Sequence, residues 1–144
     1  MTPTLPGRLQ TRFFLLAVIG GLVTLVVAPV LPGGGSLSER YQTLFTVLLL
    51  VAVVGIAWEL LYTFLQQFRW EKDWPTLFGL LTGVPEGLVA YALLDAGLVP
   101  GVGRVDPAAF TLHFALVWVA VWLFANGPMR VLDLRWRYRG GRLV

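Results

Sequence analysis

Cysteine is absent from the sequence, and with it go disulfides, thiolate metal sites, CxxC redox chemistry and cysteine nucleophiles. Histidine occurs once, as His113, without an H-x-x-x-H or E-x-x-H companion, so neither a metal nor a cofactor is expected. Phosphate-cradling loops are missing too. Gly33-Gly34-Gly35 lacks a following Lys-Ser/Thr, Gly101-Val102-Gly103 lacks a strand before it and a third glycine, and both read as flexible turns. Charge is scarce: 13% of the 144 residues are charged against 57% hydrophobic, with a mean hydropathy of +0.75. A soluble domain of this size would have to show that surface to water.

The few charges leave long apolar intervals between Arg12 and Glu39, Arg40 and Glu59, Asp73 and Glu86, and Asp106 and Arg130. Apolar runs of about 18 residues or more are what a bilayer core of about 30 Å requires. The pattern predicts an all-α integral membrane protein, one domain over residues 1–144 folded as an antiparallel four-transmembrane-helix bundle. Helices are expected over 13–31, 42–68, 75–99 and 107–128, followed by a basic tail over 129–144. The first ends at Pro29, Pro32 and the glycine tract. The second, at roughly 42 Å, exceeds the hydrocarbon thickness and must tilt or extend past it. Asp73-Trp74-Pro75 and Asp106-Pro107 supply acidic caps with a first-turn proline, and Gly127-Pro128 stops or kinks the last helix. The first run is longer than a signal-peptide core and lacks a small-x-small cleavage site, so it is read as a retained span.

Basic residues set the orientation. Arg8, Arg12, Arg69, Lys72, Arg130, Arg135, Arg137, Arg139 and Arg142 share one side, with Arg40 and Arg104 opposite. Both termini are therefore expected in the cytoplasm, with Arg8 and Arg12 flanking a first helix that carries no ionisable group. Trp70, Trp74 and Trp136 fall at interfaces, as amphipathic rings prefer, while Trp58, Trp118 and Trp122 lie deeper as packing residues. Abundant Leu, Val, Ala, Gly, Arg and Pro with a single Lys suggest a GC-rich bacterial genome and hence a bacterial inner membrane.

Ionisable groups inside a span need a reason, because each costs about 2.5–3.5 kcal/mol at a helix centre. Gly55, Glu59, Tyr62 and Gln66 follow i, i+4, i+7, i+11 spacing and form one stripe of the second helix. On the third, Glu86 lies beside Gly79-x-x-x-Gly83-x-x-x-Gly87, a doubled small-residue motif expected to admit another backbone. Glu59 and Glu86 lie about 10 Å and about 14 Å from the cytoplasmic ends, so they are candidate neighbours. Pro85 between Gly83 and Gly87 predicts a kinked or unwound segment over 82–87. Two readings follow. The acids, with Tyr62, Thr82 and Gln66, form a proton or cation site, or a protonated Glu bonds the helices together through Thr82, Tyr62, Thr63 or Gln66. Asp95 faces away from Glu86 and is read as solvated, His113 as a polar contact near the headgroups, and Asn126 as a cap or bundle hydrogen bond.

Arg130, Arg135, Arg137, Arg139 and Arg142, interleaved with Trp136 and Tyr138, are expected to touch anionic lipids rather than nucleic acid. With almost no mass outside the bilayer, the chain is expected to act through its helices, as an accessory or scaffold subunit packing against other membrane subunits or its own copies. The alternative is an oligomeric small transporter or channel using Glu59 and Glu86. Lipid enzymology is disfavoured, since His113 and Glu59 belong to opposite halves and cannot share one substrate pose.

Overall fold

The computed structural model describes residues 3–70 and 74–144, and the expected Asp73 cap and Lys72 lie outside them. The described chain is all-helical. Four stretches, Leu5–Val27, Leu37–Gln66, Thr76–Asp95 and Pro107–Leu132, are long and apolar enough to cross a membrane.

The first rod begins eight residues before the expected position 13. Thr4 caps α1 (Leu5–Leu15) by accepting from the Gly7 N–H, and Pro6 occupies the first turn, where its missing donor costs nothing. Arg8 and Arg12 are consequently inside the helix and not ahead of it. Hydrophobicity alone could not show this, because the cap and proline extend the helix through a polar stretch. A π-helical segment (Leu16–Gly20) follows, then α2 (Gly21–Val27), which stops short of the expected end at 31.

The second rod, α3 (Leu37–Gln66), also starts early. Ser36 and Glu39 form a reciprocal capping box, the Ser36 N–H donating to the Glu39 carboxylate at 2.8 Å. Arg40 then donates to the carbonyls of Leu31 at 3.2 Å and Gly33 at 2.6 Å. The glycine turn expected to be flexible is held by that guanidinium.

The third rod is interrupted at Thr82, the first residue of the 82–87 segment expected to be kinked or unwound, while residues 83–87 are helical. α4 (Thr76–Leu81) and α5 (Gly83–Asp95) meet at Thr82, and Pro85 leaves the Leu81 carbonyl without its usual donor. The helix ends at Asp95 rather than 99, and Gly97 follows with φ +69°. Asp95 is exposed, as expected. The fourth rod opens with Asp106 accepting from the Ala109 N–H at 2.9 Å, runs as α6 (Pro107–Asn126), breaks at Gly127 and resumes as α7 (Pro128–Leu132). Asn126 donates to the Trp122 carbonyl at 2.9 Å, a bond within the bundle.

Consecutive rods pack on one another, and α6 closes the ring against the π-helical segment and α2. The glycine seam of the third rod holds aromatic rings rather than a backbone. An added Cβ at Gly83 would run into the Trp118 indole, and one at Gly87 would lie 2.8 Å from the Phe114 ring. Gly79 is exposed and only meets Trp122 at ordinary contact distance. Facing this seam, Phe110, Phe114 and Trp118 stack at four-residue intervals, with centroids 5.6 and 5.5 Å apart.

The tail does not run free. After α8 (Leu134–Tyr138), Gly140 and Gly141 take φ values of +65° and +83° and turn the chain onto α1. Thr4 N–H donates to the Gly140 carbonyl at 2.9 Å, and the Leu143 N–H to Gln10 at 2.9 Å. Trp136, expected at an interface, donates its indole N–H to Thr11 at 2.7 Å. The two ends of the chain thus clasp each other.

The seam makes a graded prediction for thermal unfolding in detergent. Gly83→Ala should cost about 1–3 kcal/mol by forcing Trp118 aside, while Gly79→Ala should change stability by less than about 0.5 kcal/mol. Equal losses would mean that Trp118 does not fill the Gly83 notch.

Candidate functional site

Four charged residues from three rods converge. Glu59 and Glu86, which helical spacing places on inward stripes, are both buried and do come together, but an arginine stands between them. Arg12 donates through Nε to Glu59 at 2.9 Å, and through its two terminal nitrogens to both oxygens of Glu86 at 2.7 and 2.9 Å. Its guanidinium also lies 5.8 Å from the Trp118 ring centroid, a cation–π separation. One side chain therefore touches the other three rods.

The surroundings complete the cluster. Arg8, one turn before Arg12 on the same face, bonds Glu59 at 3.4 Å and Gln66 at 2.9 Å. Tyr62 donates to Glu86 at 3.1 Å. Every carboxylate oxygen of the two glutamates accepts at least one hydrogen bond, and two arginines balance two acids. Gly55 has a clear task, since a Cβ there would occupy the space of the Arg12 guanidinium. Thr82 joins the cluster through Tyr62, with which its side chain is hydrogen-bonded. Its hydroxyl also donates to the Gly79 carbonyl at 3.1 Å, and it meets Glu86 through the backbone, accepting the Glu86 N–H at 3.2 Å.

Arg12 is the residue that sequence reasoning missed. Counting basic residues near the ends of apolar runs assigned it to a flank, although two acids buried within long apolar helices require cations beside them. Arg8 and Arg12, spaced i, i+4 at the start of the first rod, were the available pair. The expectation that no ionisable group enters that rod is corrected, and so is the reading of a bare carboxylate pair.

A cavity of about 470 Å³ extends from this cluster toward the clasped termini. Its wall includes Trp74, Phe78, Trp122 and Trp136, with Arg8, Arg12 and Glu59 among its polar groups and Arg130 contributed by α7. Beside this cavity α1 packs chiefly on α3, whereas α6 packs mainly against the π-helical segment and α2 and meets α1 where Arg12 reaches Trp118. Arg8 Nε is buried beside it without a protein acceptor, a state that costs about 1–3 kcal/mol for a polar group. Arg130 is exposed and donates to Asn126 at 2.9 Å. Arg135, Arg137, Arg139 and Arg142 are exposed as well.

His113 is not at a surface. It is 1% exposed, and its Nε2 lies 2.8 Å from the Thr24 hydroxyl. Thr24 spends its proton on the Gly20 carbonyl at 2.8 Å, so the imidazole must be the donor between them. The contact binds the fourth rod to the first across the packed half of the bundle.

Compared with protein families, with curated proteins and with solved structures, the chain shows no match.

The cluster makes a prediction of its own. Arg12→Met alone should destabilise the protein by about 3–5 kcal/mol, because Glu86 loses its counter-charge while Glu59 keeps only Arg8 at 3.4 Å. Combining it with Glu86→Gln, which leaves Arg8 paired with Glu59, should restore most of that loss in chemical or thermal unfolding. A double variant as unstable as the single one would contradict the ion-pair account.

Proposed function

We propose that the chain is a non-enzymatic subunit of a bacterial inner membrane, with both termini cytoplasmic, that acts by assembly through its helices. The observation carrying this reading is the saturated cluster. Its carboxylate oxygens are all engaged from within the chain, so they serve to hold the rods together rather than to offer vacant ligands to a passing ion. A rigid bundle of this kind leaves its outward apolar faces, such as Leu49, Val53 and Leu60 on α3, as the means of contact. The orientation does not depend on Arg8 and Arg12. Arg69, Lys72 and the five tail arginines still outnumber Arg40 and Arg104. The exposed tail arginines suit the anionic lipids of the cytoplasmic leaflet.

A second reading, an oligomeric small transporter or channel, draws on the broken third rod and on the cavity that reaches the cluster. Movement of Arg12 from Glu86 would then be the event that exposes a carboxylate. The two readings separate experimentally. Native electrophoresis and crosslinking in mild detergent should show a homo-oligomer or a co-purifying membrane partner, and proteoliposomes should show no proton or cation flux. A strictly monomeric, unpartnered particle would count against assembly, and a flux lost in Glu86→Gln would establish the second reading instead.

A further inference from the structure

We propose that the cavity beside the Arg12 cluster seats the phosphate of an anionic phospholipid, with the start of one acyl chain against its aromatic wall. This goes beyond assembly but rests on the bilayer placement proposed above. Two observations point the same way. First, the volume of about 470 Å³ falls within the range of about 300–1,000 Å³ typical of ligand sites, and the wall joins aromatic surface to a few polar groups. Second, the charges are unequal. Pairing Arg8 with Glu59 and Arg12 with Glu86 leaves Arg130 on the wall, bonded to the neutral Asn126, so among the described residues the excess is positive and suits an anion.

The position favours a lipid over a free anion. The cavity lies at the clasped-termini end of apolar rods, which in the proposed placement is headgroup level. Trp74, Phe78 and Trp122 give an apolar wall for which a small inorganic anion has no use. Tail arginines exposed at the same end raise the local concentration of anionic lipid.

The test uses the full chain in nanodiscs and in mild detergent, read by tryptophan fluorescence, since Trp74, Trp118, Trp122 and Trp136 line the cavity. Phosphatidylglycerol added to detergent-solubilised protein should produce a saturable change, with phosphatidylcholine at least roughly tenfold weaker. Arg130→Gln should weaken the phosphatidylglycerol response about fivefold, the equivalent of one arginine contact. Arg104→Gln, exposed at the opposite end of the rods and absent from the wall, should leave it unchanged. An equal response to phosphatidylcholine, an unchanged response in Arg130→Gln, or full reproduction of the change by inorganic phosphate would overturn the proposal. Failure to enter nanodiscs at all would instead overturn the bilayer placement, so the two are distinguishable.

Discussion

A guanidinium shared between two carboxylates is the interaction on which the rest of this structure depends. Arg12 carries three directed donors, and each finds an acidic oxygen on a different helix face or a different side of one carboxylate. In an apolar interior such a group has no neutral alternative, because arginine keeps its proton where lysine or glutamate would give way. The acids must therefore be present and close, and the helices that bear them are held where they stand. Removing any one member leaves a buried charge uncompensated.

The backbone is shaped to admit this cluster. Gly55 leaves the space that the guanidinium fills, and Gly83 leaves the space for the indole that flanks it. The opposite half of the bundle is packed more simply, by Leu16, Val47, Leu48, Val51, Ala90 and Val117, with His113 and Thr24 as one polar tie. One half is thus a conventional apolar core, and the other is an ionic floor beneath an aromatic cavity. The π-helical segment lies at that division, and it and α2 carry most of the first rod's packing against α6.

Much of this was legible before any coordinates. The four apolar intervals define the four rods, and the i, i+4, i+7, i+11 stripe brings Gly55, Glu59, Tyr62 and Gln66 to one face. Pro85 marks the break. What hydropathy could not reveal is the start of the first rod, since Thr4-Leu5-Pro6 is a cap-and-proline signal hidden in polar sequence. With that start misplaced, Arg12 became a flank and the acids lost their partner. The glycine seam was found for its spacing but assigned the wrong occupant. Phe110, Phe114, Trp118 and Trp122 repeat with the same four-residue period, and an antiparallel match of that ladder to Gly87, Gly83 and Gly79 explains why rings rather than a helix backbone fill the gap. Ser36 and Glu39 likewise spelled a capping box that an apolar-run criterion passes over.

The most direct measurement is a solid-state NMR distance in lipid bilayers between the labelled guanidinium of Arg12 and the labelled carboxyl carbons of the glutamates. The account predicts strong dipolar contact to both Glu59 and Glu86, on the order of 4 Å between the carbon centres as expected for hydrogen-bonded pairs. Absence of coupling to either carboxylate, with Arg12 instead in contact with water or lipid phosphate, would contradict it.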